Sequence, residues 1–338
     1  MDSAEQYLAL IDALANRVLA VVGDVVADEF VYGRVARVSR EAPVLILEYD
    51  TTEIVPGGAG NAANNVASLG GRARLVTVLG RDESARRLIA ALHRRVDRAA
   101  ILRDSTYGTP VKTRILAGGI HSAKQQVVRI DRSVRHATEP RTREAFERTA
   151  LKAVKGCDAV LVSDYGSGLV RPAFVRRLRA MVGRDVPVLV DTRYRLLSYR
   201  GLDACTPNES EVEQALGVRI NDDLRTLERA GREVLATTRM HAVLITRGGR
   251  GMALFEPERP TCHIPIFGSD EIADVTGAGD TVMATVALAR SAGATFEQAA
   301  HLANYAGGIV VMKRGTATVG ADELRQAVTT DRGERPRG

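Results

Sequence analysis

The stretch Asp274-Val275-Thr276-Gly277-Ala278-Gly279-Asp280, followed by the apolar run Thr281-Val282-Met283-Ala284-Thr285-Val286-Ala287-Leu288, decides how the chain is read. Two glycines flanking one alanine disfavour a helix interior, whereas the Ala-rich run behind them favours one. The segment therefore predicts a tight turn feeding a helix N-terminus. The first N–H groups of a helix lack intrahelical partners and carry partial positive charge. Gly277, Ala278 and Gly279 are thus a candidate anion site, with phosphate the natural ligand. Asp280 would repel that phosphate. It makes chemical sense as a base that takes a proton from a hydroxyl, which then attacks a phosphoryl group held by the turn. A plain Gly-rich loop with an N-capping Asp is the simpler alternative.

Outward from this turn, strands alternate with helices. Residues 3–17 place Tyr7, Leu8, Leu10, Ile11 and Leu14 at helical spacing. Residues 17–24 form a continuous apolar run that predicts a parallel strand buried on both faces, ending in Gly23-Asp24. Open α/β sheets bind ligands at such carboxyl ends. Asp24 is accordingly an acceptor for ligand hydroxyls or a turn former. Apolar runs at 158–163, 186–190, 204–208 and 241–246 likewise deliver Asp164, Asp191, Asn208 and Arg247-Gly248-Gly249. The pattern predicts an α/β fold: one doubly wound, mainly parallel sheet flanked by helices, with its chemistry along one edge.

Two segments break the alternation. Residues 29–56 and 106–131 are rich in strand formers and have no adjacent helix. They predict antiparallel excursions that make a small β-sheet lid, with one face toward the ligand and an edge a second subunit could cover. Residues 1–328 then form a single domain, and 329–338, polar with Gly and Pro, a flexible tail.

Between the lid segments, Gly58-Ala59-Gly60-Asn61-Ala62-Ala63 fits G-x-G-x-x-A, the dinucleotide fingerprint. That fingerprint follows the first strand of its fold, and here a good strand has already passed. Asn61, Asn64 and Asn65 also suit a pyrophosphate poorly. The alternative is a hydroxyl-binding segment, in which Gly57 and Gly58 admit a ligand close to the backbone and the Asn61 amide donates and accepts. Asn208 and Glu211 lie three apart at a helix start, where they make either a capping box or a carboxylate that holds magnesium through water. Lys112, Arg114 and Arg129 are either a phosphate-binding lid face or a solvated basic one.

The chain has 338 residues, 45% apolar and 26% charged, which predicts a globular protein with a substantial core. Its net charge of +6 is scattered, and with 4% aromatics and no Trp it offers nucleic acid little to stack on. Cys157, Cys205 and Cys262 lie far apart, no Cys-x-x-Cys occurs, and the six histidines form no metal-spaced pair. Neither a disulfide framework nor a zinc site is expected. No signal peptide or membrane segment is legible, so a reduced cytoplasmic enzyme is the expectation, and without a Walker loop any ATP binding must use something other than a P-loop.

Asp-x-x-Gly-Ala-Gly-Asp in this position resembles the signature of the ribokinase-like (PfkB) sugar kinases. The resemblance implies that Asp280 is the catalytic base and that Gly277, Ala278 and Gly279 form its anion hole. It implies that Asp24, Gly57, Gly58, Asn61, Asn65, Gln126 and Asp164 bind the sugar, with Lys112, Arg114 and Arg129 on its phosphate. On the nucleotide side it implies ATP contacts from Asn208, Glu211, Thr246, Arg247, Gly248 and Asn304, with Mg²⁺ on Glu211. Asp274, Thr276 and Gly315 lie where relatives hold a monovalent cation such as K⁺.

Within the family the chain is most similar to the D-glycero-β-D-manno-heptose 7-phosphate kinases. The likeness spans about residues 18–325, including Ser39-Arg40-Glu41-Ala42-Pro43, Lys112-Thr113-Arg114 and Ser163-Asp164-Tyr165. It implies phosphorylation of O1 to the 1,7-bisphosphate; with no nucleotidyltransferase segment legible after residue 325 a kinase-only chain is expected, and the lid edge predicts a homodimer through the lid sheet. Two positions depart from that pattern. Ser167 stands where relatives carry Lys, and Asp191-Thr192-Arg193 replaces Asp-Pro-Lys. A rebuilt phosphate end or a different sugar would account for them. A sugar-binding regulator without catalysis and a dinucleotide-dependent dehydrogenase are the alternatives from other classes.

Overall fold

Strand β1 (Val18–Gly23) sets the plan. Its side chains alternate between two apolar clusters, Leu19 and Val21 in one, Ala20 and Val22 in the other. A strand buried on both faces needs helices on both, and the chain supplies them. In the computed structural model, which describes residues 3–118, 124–132, 138–268, 274–313 and 315–333, β1 is succeeded by β2 (Val25–Val38), β3 (Leu45–Gly58), β4 (Arg72–Leu79), β5 (Val96–Asp97), β6 (Ile101–Arg103), β7 (Val111–Gly118) and β8 (Gln125–Arg132). Strands β9 (Ala159–Asp164), β10 (Val188–Thr192), β11 (Ala204–Cys205), β12 (Ala242–Thr246), β13 (Met252–Phe255) and β14 (Cys262–Ile264) complete the set. The large sheet runs β14-β13-β12-β11-β10-β9-β1-β4-β5, with β6 also on β4. It is parallel from β12 to β5, and antiparallel at β12–β13 and β13–β14.

Helices α1 (Ala4–Ala13), α2 (Ala59–Ser68) and α3 (Glu83–Ala90) cover one face, with α8 (Ala278–Ser291), α9 (Phe296–Val311) and α10 (Ala321–Gly333). The other face is covered by α4 (Pro140–Ala153), α5 (Pro172–Met181), α6 (Glu209–Leu216) and α7 (Leu224–Thr238). The doubly wound expectation therefore holds. α10 runs five residues past the expected start of a tail at 329, because Leu324 and Val328 are buried and Tyr305 Oη donates to Asp331 at 2.7 Å. Residues 334–338 of that tail lie outside the described residues.

The lid is a separate four-stranded sheet, β3-β2-β7-β8. Its outer pairs are antiparallel as expected, but the central β2–β7 pair is parallel. Both strands leave the main sheet outwards and both return through a neighbour, so they run in the same direction. Part of the second lid segment, 119–123, falls outside the described residues.

Candidate active site

The turn before α8 is a left-handed one. Gly277 has φ 79° and caps the helix with no side-chain hydrogen bond. A Cβ there would lie 2.6 Å from Asn61 Nδ2 and 2.8 Å from the Thr316 methyl, so glycine is what lets the turn close on α2. Gly277 and Gly279 line a cavity of about 230 Å³ at the carboxyl edge of the sheet. The Ala278 N–H instead turns back to Val275 O at 3.3 Å.

Asp280 is the third residue of α8 and is buried. It does not cap the helix. Asn61 Nδ2 donates to its Oδ2 at 3.1 Å and to Gly277 O at 3.1 Å, while Tyr165 Oη donates to Oδ1 at 3.0 Å. Burial pushes the carboxyl up to about 7, against the pull of the Asn61 and Tyr165 hydrogen bonds, and Asp28 pushes it further. A carboxylate balanced near neutrality suits proton abstraction at cellular pH.

The sugar-side residues form a layered support. Asn65 Nδ2 donates to Asn61 Oδ1 at 3.0 Å and to its backbone O at 3.1 Å, and Val319 N donates to Asn65 Oδ1. Asn65 is fully buried and fixes the Asn61 amide from behind instead of reaching the cleft. Gly57 and Gly58 admit acidic residues closely: added Cβ atoms would meet the Asp28 carboxylate Oδ2 at 2.2 Å and the Asp24 backbone O at 2.6 Å. α2 follows the lid strand β3, not the first core strand, so the dinucleotide reading of this segment fails on topology.

Asp24 accepts from Tyr165 N at 2.9 Å, Ser167 N at 3.2 Å and Ser167 Oγ at 2.5 Å. Burial raises it to about 6 against those hydrogen bonds. Asp164 corrects an expectation. It is buried, and its carboxylate accepts from Gly166 N, the Thr192 hydroxyl and Tyr199 Oη, which directs it into the protein as a brace for the loop.

On the other side of Asp280, the 230 Å³ cavity is lined by Asp191, Arg193, Thr206, Asn208, Glu211 and Thr246 among others. Asn208 and Glu211 form a reciprocal capping box, at 2.9 and 2.8 Å, and both also line this cavity. Burial raises Glu211, and it raises Asp191 strongly with the nearby charges of Asp280 and Glu211 adding to it. The buried Thr206 hydroxyl has no hydrogen-bond partner among the described residues. Crowded carboxylates with Arg193 as the opposing charge fit a divalent cation. Arg247 is a second correction. Its guanidinium is buried against Glu209 at 2.7 Å, so of this motif Thr246 lines the cavity while Gly248 forms an open turn beside it in the chain. The Asn304 amide donates to Pro265 O at 2.9 Å and fastens α9 to the segment after β14.

The lid contributes a second cavity of about 500 Å³, lined by Phe30, Tyr32, Arg114, Lys124, Gln126 and Thr276 among others. Arg114 donates to Asp28 at 2.5 Å, Arg129 pairs with Asp131 at 2.9 Å, and the Lys112 ammonium sits 5.5 Å from the Tyr165 ring centroid. The three expected cations share one lid face, but each meets a different neighbour. Asp274, Thr276 and Gly315 are also brought together, since Asp274 accepts from Thr276 N at 2.8 Å and Gly315 N at 3.1 Å. These amides occupy both carboxylate oxygens.

The pfkB family carbohydrate kinase model matches residues 18–323. The chain belongs to that family of carbohydrate kinases. Bifunctional protein HldE of Trichlorobacter lovleyi is 39% identical to this kinase over 314 residues, which is 92% of the present chain and 62% of that protein. The chain thus spans less than two thirds of that relative. Among solved structures, Arabidopsis thaliana ribokinase complexed with ribose and ATP superposes with a TM-score of 0.68 at 19% identity, covering 93% of this chain and 99% of that one. Escherichia coli phosphofructokinase-2 with fructose-6-phosphate gives 0.73 at 16%, covering 94% and 99%. At these identities the two structures speak for the fold.

The structure gives contacts to three residues that the sequence named without assigning them a role in the site: Tyr165 on Asp280, Ser167 on Asp24, and Asp191 in the carboxylate cluster. Tyr165 and Asp191 sit at or just past the carboxyl ends of β9 and β10, the same signal that singled out Asp24.

Proposed function

We propose that this chain transfers a phosphoryl group from ATP to D-glycero-β-D-manno-heptose 7-phosphate at O1, giving the 1,7-bisphosphate. The observation that carries the reading is Asp280. Its buried carboxylate stands at the head of α8, between the Asn61 amide on the sugar side and the acidic cavity on the other. In this reading Asp280 accepts the O1 proton as that oxygen attacks the γ-phosphorus, and the bond to the β,γ-bridging oxygen breaks to release ADP. Tyr165 and Asn61 hold the carboxylate in line. The amides of Gly277 and Gly279 offer partial positive charge to the migrating group. Asp24, Gly58 and Asn61 orient the sugar, and Lys112, Arg114 and Arg129 meet its phosphate.

Glu211, with Asp191 beside it, would hold Mg²⁺, partly through water; that ion supplies charge neutralisation between the phosphates of bound ATP. A monovalent cation beside Asp274, Thr276 and Gly315 belongs to the same reading and rests on the family resemblance alone. The lid excludes water as a competing acceptor. Its outer face exposes Val35, Val38, Val128 and Ile130, which supports a homodimer through the lid sheet. Three free thiols support a cytoplasmic setting, and no helix among the described residues is long and apolar enough to cross a membrane.

A kinase of another sugar phosphate is the second reading. It is favoured by Ser167, which donates its hydroxyl to Asp24 where heptose kinases carry a lysine. A panel of phosphorylated heptoses and hexoses screened for ADP production separates the two. The heptose 7-phosphate should give the highest kcat/KM. A hexose phosphate that surpasses it would move the assignment to that sugar, and ADP from none of them would favour a non-catalytic binder.

A further inference from the structure

β14 is the outer strand of the large sheet and Cys262 is its first residue. α9 packs on it and presents Glu297 and His301, four apart and therefore one above the other on the same helix face. One donor atom from each of Cys262, Glu297 and His301 lies within 4.8 Å of the other two. Cysteine spacing gave no hint of this, because the three ligands come from separate elements. Bonds of about 2.0–2.3 Å to a tetrahedral zinc place neighbouring donors roughly 3.4–3.8 Å apart. Contraction by about 1 Å closes the site, and Glu297, exposed at the start of α9, has the rotamer freedom to supply it.

His301 packs edge-on against Tyr7, with ring centroids 6.1 Å apart, which fixes the imidazole plane. One thiolate and one carboxylate balance a divalent charge. Sulfur and imidazole ligands select a zinc-class ion over magnesium or calcium. None of the three residues belongs to the phosphoryl-transfer site.

We propose that Cys262, Glu297 and His301 form a three-ligand site for zinc, with water as the fourth ligand, which clamps the edge strand β14 to α9. The Asn304 bond to Pro265 O, further along the same helix, holds the residue that follows β14, so the ion would be a second fastening of this stretch of chain to α9. The reading does not depend on which sugar the enzyme takes.

The test uses the full chain, stripped with a chelator and titrated with Zn²⁺ against a chromophoric competitor. One equivalent should bind with Kd of about 1 μM or tighter. Cys262→Ser and His301→Ala should each weaken it by about 30-fold or more, and Glu297→Gln by about 10-fold. Co²⁺ should give a thiolate-to-metal band that Cys262→Ser abolishes and Cys157→Ser keeps. Glu297 is exposed, so its variant folds whatever the fate of the other two. Absence of a bound equivalent, or Zn²⁺ affinity unchanged in both Glu297→Gln and Cys262→Ser, would overturn the site.

Discussion

The head of α8 and the inner face of the lid meet at Tyr165, which donates to Asp280 and lies 5.5 Å by its ring centroid from the Lys112 ammonium, but they are built on opposite terms. At α8 a contiguous heptapeptide sets the backbone, and the Asp280 carboxylate is buried with two neutral donors, Asn61 and Tyr165. On the lid the functional groups are charged and come from neighbouring strands. Each is engaged with a partner of its own, Arg114 with Asp28 and Arg129 with Asp131. In the proposed reading, the contrast teaches that the catalytic half is pre-organised, whereas the substrate-binding half must exchange internal partners for the ligand. Perturbations at α8 should therefore appear in kcat, and those on the lid in KM.

The largest lid effect belongs to Arg114. Its pair with Asp28 is nearly buried, with side chains 12% and 9% exposed, so Arg114→Ala strands a carboxylate. We expect KM for the sugar phosphate to rise by about 10-fold or more, and stability to fall by about 3 kcal/mol. Arg129→Ala, which breaks a pair 48% and 40% exposed, should change stability by less than about 1 kcal/mol. Equal costs in steady-state kinetics and urea unfolding would dissolve the distinction between the two lid arginines.

Next in size is Tyr165→Phe. The phenol donates to Asp280 and holds its pKa down, so the variant's carboxyl should titrate higher. Turnover near pH 7 should drop by about 3- to 10-fold and recover in part near pH 8.5. A uniform loss across pH would make Tyr165 a packing residue only.

The smallest effect is on stability. Asp280 is raised to about 7 and Asp24 to about 6, both from 3.8. The folded chain therefore binds more protons than the unfolded one between about pH 7 and pH 4. Stability should rise as pH falls through that window, on the order of 1 kcal/mol from pH 8 to pH 6. His93, held below its usual value by partial burial, opposes this weakly. A urea midpoint that falls on acidification to pH 6 would mean the two carboxylates are ionised without penalty.

The same contrast explains what could be read in advance. The doubly wound sheet was legible because continuous apolar runs such as residues 18–22 have one physical explanation, burial on both faces. The turn at Gly277 was legible because a positive φ at a helix head demands glycine. What escaped was non-local. The inward Asp164, the Glu209 partner of Arg247 and the parallel β2–β7 pair depend on segments distant in sequence, and no local periodicity encodes them. The spacing of Asn65 from Asn61 suggests a place in the cleft, but four residues along a helix means directly behind as readily as alongside.

The central claim is that Asp280 removes the proton from the attacking hydroxyl, and Asp280→Asn tests it most directly. The substitution keeps the shape of the side chain, so ATP affinity, measured by calorimetry, should stay within about twofold, while kcat falls by at least about 100-fold. Turnover within a few-fold of the parent enzyme would contradict the account.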